Sequence, residues 1–223
     1  MNAPVNTIIH GDCVEVMRTM PASGIDFILT DPPYGARYQA RDGRRVRNDD
    51  NFAWLRPAYA EMYRVLKDDA FMVSFYGWPK VDLFMAAWKA AGFRVGGHIV
   101  FRKRYSSKSA FVQYRHECAY LLLKGNPALP ATPLPDVMDW TYTGNKLHPT
   151  QKSIHILKPL IEAFTNPGDL VFDPFAGSGS VCVAAQRAGR RHVGIELDPE
   201  PPPNGSHADR PDAIFVISPD RVR

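Results

Sequence analysis

Two short apolar runs, residues 25–30 and 170–172, each end in a loop of unusual composition. The first gives way to Asp31-Pro32-Pro33-Tyr34, the second to Asp173-Pro174-Phe175-Ala176-Gly177-Ser178-Gly179-Ser180. Such runs read as buried strands, and open α/β sheets place their ligands in loops at the C-terminal ends of such strands. A chain with two such loops is therefore expected to fold as an α/β sheet with both loops on one edge.

The rest of the chain agrees. Strands are expected at 7–10, 70–75, 93–101, 117–124 and 192–195, and helices at 14–20, 52–66, 78–91, 153–164 and 180–188. Leu55, Tyr59, Met62 and Leu66 recur at helical spacing. Strands alternating with helices indicate a doubly wound, mostly parallel sheet. Residues 125–147 carry four prolines and read as irregular. Residues 199–204 hold four prolines in six, through which no helix can run. A last edge strand is expected at 213–218. The 223 residues suit one domain, 1–223, with a small insert around 101–147 and an irregular tail at 199–223.

Composition narrows the function classes. No apolar run approaches a membrane span, and residues 1–6 lack the layout of a signal peptide. Cys13, Cys118 and Cys182 are too far apart for a CxxC pair, which points to a reducing, cytoplasmic setting. His116-Glu117-Cys118 lacks a second ligand pair, and His148 and His155 lack metal-binding spacing, so no metal site is expected. Those three residues read as an accident of a strand edge. The net charge of +4 is mild, so nucleic-acid binding depends on where the charge sits.

The glycine loop has nucleoside chemistry. Gly177 and Gly179 allow a sharp turn and close backbone approach to a ligand. The following helix offers N–H groups at its start. Glu196, at the end of the next strand, is placed to accept hydrogen bonds from ribose hydroxyls. The pattern G-x-G-x-x-G fails because position 182 is cysteine, and no Gly-Lys-Ser/Thr follows. A dinucleotide or P-loop site is thereby disfavoured, and a nucleoside site without a pyrophosphate remains. The bland alternative is a tight strand-to-helix turn.

The first loop has the chemistry of an amine holder. Pro32 and Pro33 remove two N–H donors. The Asp31 carboxylate and the backbone carbonyls then form an acceptor-only cluster, with the flat Tyr34 ring beside it. Two acceptors can take both N–H bonds of an exocyclic amino group, leaving its lone pair aimed at an electrophile. A base in duplex DNA must leave the stack to reach such a pocket. Alone, the tetrapeptide could equally be a turn.

Together these motifs resemble the amino-group DNA methyltransferases, the adenine-N6 and cytosine-N4 enzymes. Asp31-Pro32-Pro33-Tyr34 resembles their catalytic motif, and Asp173 to Gly179 resembles their S-adenosylmethionine loop. The catalytic motif comes first here, as in the β group, a permuted version of the Rossmann-like methyltransferase fold. Gly11-Asp12 resembles the segment that contacts the cofactor adenine. Leu147-His148-Pro149-Thr150-Gln151-Lys152 resembles the segment that holds its methionine part. The resemblance covers residues 7–198. It implies transfer of a methyl group from S-adenosylmethionine to a base amino group in double-stranded DNA. The implied catalytic residues are Asp31, Pro32, Pro33 and Tyr34. The implied cofactor residues are Asp12, Thr150, Gln151, Lys152, Asp173, Phe175, Ala176, Gly177, Ser178, Gly179 and Glu196. Aspartate at 31 is more typical of N6-adenine enzymes, where cytosine-N4 relatives often carry serine. C5-cytosine chemistry needs a cysteine after proline, and none of the three has that context. An RNA adenine methyltransferase and a silent DNA-binding relative are the rival readings. A homodimer and a restriction partner are left open.

Two basic runs flank the expected site. Arg37, Arg41, Arg44, Arg45 and Arg47 follow the catalytic motif, and Arg102, Lys103, Arg104, Lys108 and Arg115 interleave with Phe101, Tyr105, Phe111 and Tyr114. Cations for phosphates and rings for bases are what a DNA surface needs.

Overall fold

The computed structural model describes residues 5–35, 51–106, 108–109, 111–140, 152–197 and 216–217. A parallel core forms one half of the sheet. Its strands are β1 (Thr7–His10), β2 (Ile25–Thr30), β3 (Leu66–Phe75), and, later in the chain, β9 (Leu170–Asp173) and β10 (Arg191–Glu196). Between these two groups lie β4 (Arg94–Arg102), the short pair β5 (Lys108–Ser109) and β6 (Gln113–Tyr114), β7 (His116–Lys124) and β8 (Val137–Asp139). A last strand, β11 (Val216–Ile217), lies on the edge beyond β1. The order across the nine-stranded sheet is β11-β1-β10-β9-β2-β3-β7-β4-β8. Only β7 runs against its neighbours β3 and β4. The expected doubly wound, mostly parallel sheet is thus the architecture found.

The period of two along each strand divides the core. Phe27 and Leu29 face one layer with Val73, Phe75 and Val171, while Ile28 faces the other with Met72 and Phe172. The Ile28 side is covered by α1 (Cys13–Thr19), α2 (Leu55–Val65) and α3 (Val81–Ala91). The Phe27 side is covered by α4 (Ile154–Phe164) and α5 (Ser180–Arg187). Both faces are buried, which is why these strands read as apolar runs.

Several boundaries differ from expectation, each for a local reason. The strand expected at 70–75 begins at Leu66: Lys67, Asp68 and Asp69 break its apolar pattern, and the pairing with β2 reaches Leu66 across an irregularity that includes Asp69 at a φ of 53°. The helix expected from residue 52 starts at Leu55; Ala53 donates instead to the Asn51 side chain at 3.1 Å. The stretch 125–147, expected to be irregular, supplies β8, a three-residue edge strand parallel to β4. Of the edge strand expected at 213–218, only residues 216–217 lie within the described residues, and they form β11.

Strand polarity decides where function can sit. The C-terminal ends of β1, β2, β3, β9 and β10 share one edge of the sheet. Because β7 is antiparallel, its first residues, His116 and Glu117, reach that same edge opposite Arg102 and Phe101 of β4. Among the described residues no helix is long and apolar enough to cross a membrane. None of them gathers three or more His, Cys, Asp or Glu side chains suited to a metal.

Candidate active site

The two loops singled out in the sequence leave adjacent strands. Ile28 of β2 pairs with Phe172 of β9. Thr30, at the end of β2, donates its hydroxyl to Asp173 Oδ1 at 2.9 Å, so the two strand ends are tied together. Asp173 is 2% exposed and also accepts the Phe175 N–H at 3.1 Å. Burial pushes its carboxyl up to about 7, against those two hydrogen bonds. Asp173 therefore organises the loop from beneath.

The glycine loop lies flat on β10. Gly177 and Gly179 have φ of 49° and 75°, left-handed values that a side chain would strain. Ala176 donates to the Ile195 carbonyl at 2.8 Å, and Gly177 donates to Glu196 Oε2 at 2.7 Å. Ser178 and Ser180 pair their hydroxyls at 2.8 Å. Phe175 leans edge-on against Trp54 of the α2 N-terminus, with centroids 5.0 Å apart. Gly194 was not singled out in the sequence, yet it makes this approach possible. A Cβ there would stand 2.9 Å from Ala176 Cβ and 3.0 Å from Cys182 Sγ. Gly194→Ala should therefore lift the loop and cost roughly 1–3 kcal/mol by overpacking. Chemical denaturation checks it, and an unchanged midpoint would mean that the packing is looser than these distances require.

Beside this loop, Gly11 donates to the Glu196 carbonyl at 2.9 Å. Asp12 is exposed and caps α1, its Oδ1 accepting from Val14 and Glu15. Asp12, Ser178 and Glu196 thus stand along one edge, over the ends of β1, β9 and β10.

On the other side of Thr30, Tyr34 donates its hydroxyl to Asp31 Oδ1 in a short hydrogen bond. Its ring sits close because residue 77 is glycine: a Cβ there would be 2.8 Å from Tyr34 Cβ. The Lys152 ammonium lies 3.0 Å from Asp31 Oδ2, 2.7 Å from Glu117 Oε2 and 3.2 Å from the Tyr34 hydroxyl. Burial raises the Asp31 carboxyl above the ordinary aspartate range, opposed by Lys152 and the Tyr34 hydrogen bond. Burial also works to raise Glu117, but the ammonium groups of Lys152 and Lys103 outweigh it and hold it at about 2. Lys152 itself is raised by Asp31 and Glu117 against its own burial.

This arrangement moves three residues from where the sequence suggested. Lys152 directs its ammonium to Asp31 and Tyr34. Glu117, read as a strand-edge accident, stands at the centre of the charge cluster. Lys103, assigned to a DNA surface, is corrected: it is 6% exposed and ion-paired to Glu117, and a lysine spent in that way is withdrawn from phosphates. No local pattern marks such pairings, because the partners come from segments far apart in the sequence. Arg102 remains exposed but grips Asp139 Oδ1 at 2.8 and 2.9 Å. Arg104 and Arg115 are exposed. Trp78, three residues past β3, stacks on Tyr114 with ring centroids 5.5 Å apart, bringing the β5–β6 hairpin to the site edge. Arg37, Arg41, Arg44, Arg45, Arg47, Thr150 and Gln151 lie outside the described residues, as does the Lys108 side chain.

A family description of N6 and N4 DNA methylases matches residues 25–201 of this chain. The chain belongs to that family. Among curated relatives, "Putative methylase YubD" of Escherichia coli (strain K12) is 62% identical over 193 residues, spanning 86% of this chain and 85% of its own. DNA adenine methyltransferase YhdJ of the same strain is 29% identical, covering 87% of this chain and 79% of its own. Among solved structures, the M1.HpyAVI–SAM complex is 25% identical with a TM-score of 0.68, covering 86% of this chain and 93% of that one. The cytosine-N4-specific PvuII DNA methyltransferase, at 17% identity, shares the fold with a TM-score of 0.71 over 88% and 85% of the two chains. The methylase thus has the Rossmann-like architecture expected from its permuted motifs.

Proposed function

We propose that this methylase moves a methyl group from S-adenosylmethionine to the N6 amino group of adenine in double-stranded DNA. One observation carries the reading: the amine-holding loop and the glycine loop leave adjacent strand ends joined by the Thr30–Asp173 hydrogen bond. A base amine at Asp31 and a cofactor on the glycine loop would therefore meet across one strand spacing.

The site residues fit that cofactor. The edge formed by Asp12, Ser178 and Glu196 is acidic and hydroxyl-bearing, which suits ribose hydroxyls and a cationic sulfonium and opposes a polyphosphate. Gly177, Gly179 and Gly194 keep the backbone low where a ligand would lie. When bound, S-adenosylmethionine supplies an electrophilic methyl group. The chain does the rest. Asp31 accepts an N–H of the target amine and fixes its orientation. Pro32 and Pro33 present no competing donor. Tyr34 offers a ring face to the base and steadies Asp31 through its hydroxyl. Asp31 is the residue favoured in adenine-N6 relatives, and YhdJ bears an adenine-methyltransferase name.

The test is nucleoside mass spectrometry of unmethylated genomic DNA incubated with the protein and labelled cofactor. N6-methyladenine is expected. N4-methylcytosine alone would overturn the adenine assignment, and label in neither would overturn DNA as the substrate. Replacing Arg102, Arg104 and Arg115 with glutamine should weaken DNA binding and flatten its salt dependence. Each lost phosphate contact removes about 0.9 from the log–log slope. A triple variant with the parent's slope would make these arginines solvated surface.

A further inference from the structure

Asp31 is one end of a row of alternating charges drawn from four separate segments of the chain. The row runs Asp31, Lys152, Glu117, Lys103, with Lys152 contacting both carboxylates and Glu117 contacting both lysines. The lysines are 8% and 6% exposed. The Trp140 ring covers both, 5.7 Å from Lys152 and 4.9 Å from Lys103, and Phe75 lies 4.8 Å from Lys152. Taking four charges from water is costly, and apolar side chains of similar size often serve a core as well. A buried row that ends on the amine-holding carboxylate points to a role beyond packing.

An ammonium has three N–H bonds. Lys152 directs them to Asp31, Glu117 and the Tyr34 hydroxyl. Asp31 in turn receives Lys152 on Oδ2 and Tyr34 on Oδ1. Its remaining lone pairs are what a target amine must find. Should Lys152 lose Glu117, its ammonium would turn wholly onto Asp31 and compete with the amine for those lone pairs. Should Lys152 be lost, the buried carboxylate would face Glu117 with no cation between them.

Resting on the methyl-transfer reading above, we infer that Glu117 is a positioning residue: by drawing Lys152 partly to itself, it leaves part of Asp31 open to the target amine. Glu117 touches neither substrate nor cofactor in this scheme and acts only through Lys152. The groups that face Asp31 and set its ionisation are Lys152, Tyr34 and Glu117, with Asp173 of β9 and Tyr59 of α2 within electrostatic reach. Both lysines and both acids have explicit partners, so each variant below has a directional effect.

The experiment compares Glu117→Gln, Lys152→Met and the double variant with the parent protein. Turnover is measured with labelled S-adenosylmethionine on unmethylated genomic DNA of mixed sequence. Asp31 titration is followed by carboxyl-carbon NMR, assigned with Asp31→Asn, and thermal melting checks folding. Glu117→Gln should lower kcat about tenfold or more with cofactor affinity within twofold, and Asp31 should titrate lower than in the parent. Lys152→Met should lower kcat and move the Asp31 titration upward, with the acid limb of activity following it. The double variant should be no slower than Lys152→Met, because Glu117 then has nothing to hold. Opposite NMR shifts are a signature that a purely structural role does not produce. Parental turnover in Glu117→Gln, losses that multiply in the double variant, or shifts of the same sign would each overturn the inference. Failure of the parent to methylate DNA would overturn the function reading instead, and the NMR arm would still decide the coupling.

Discussion

Asp31→Ala is expected to abolish detectable methyl transfer while leaving S-adenosylmethionine affinity within a few-fold of the parent. In the proposed reaction the carboxylate faces the target amine, and the glycine loop depends on Asp173, Glu196 and Gly194 instead. Removing one preorganised acceptor from a site sheltered from water costs on the order of 10²–10³ in rate. The loss here should reach the upper end, because alanine also releases the Tyr34 hydroxyl and one N–H of Lys152 from their partner. Asp31→Asn is the companion variant. It keeps the shape and an acceptor oxygen but loses the charge that balances Lys152. It should fold as the parent does and remain at least tenfold slow. Turnover with labelled cofactor and calorimetry together separate the two effects. Near-parental turnover in Asp31→Ala would remove the loop from catalysis, and a large loss of cofactor affinity would mean that Asp31 belongs to the cofactor side.

Local sequence carries a feature when its physical cause is local. The strands 25–30 and 170–172 could be read because burial on both faces demands apolar residues in succession. The glycine loop could be read because left-handed φ at Gly177 and Gly179 restricts the residue type. The charge row could not. Lys103 and Lys152 look like any solvated lysine, and Glu117 stands 86 positions from Asp31. Only the reversal of β7 brings Glu117 to the edge where β2 ends. That reversal also explains Lys103. A basic residue beside aromatic ones suggested a nucleic-acid surface, whereas the register of β4 against β7 turns it inward onto Glu117. β8 escaped notice for a different reason. It is three residues long on a sheet edge, too short for a period to emerge.

Glu196→Ala should weaken S-adenosylmethionine binding by roughly ten- to a hundredfold, the equivalent of losing a charged hydrogen bond worth about 1.5–3 kcal/mol. Two contributions add here, and the structure separates them. The first is to the ligand: a carboxylate at the end of β10 can accept ribose hydroxyls, and its charge strengthens those bonds. The second is to the protein. Glu196 Oε2 accepts the Gly177 N–H at 2.7 Å, holding the loop in the left-handed turn that the ligand would meet. Glutamine can still accept from Gly177 through its amide oxygen but cannot supply the charge. Glu196→Gln should therefore bind more weakly than the parent and more tightly than Glu196→Ala. Neither variant touches Asp31, so turnover at saturating cofactor should fall far less than affinity. Calorimetry with S-adenosylmethionine and turnover at high cofactor concentration check both halves. If alanine leaves the affinity unchanged, Glu196 contributes to cofactor binding neither directly nor through the loop. If glutamine and alanine are equally weak, the charge outweighs the anchor, and the Gly177 hydrogen bond contributes little to the bound state.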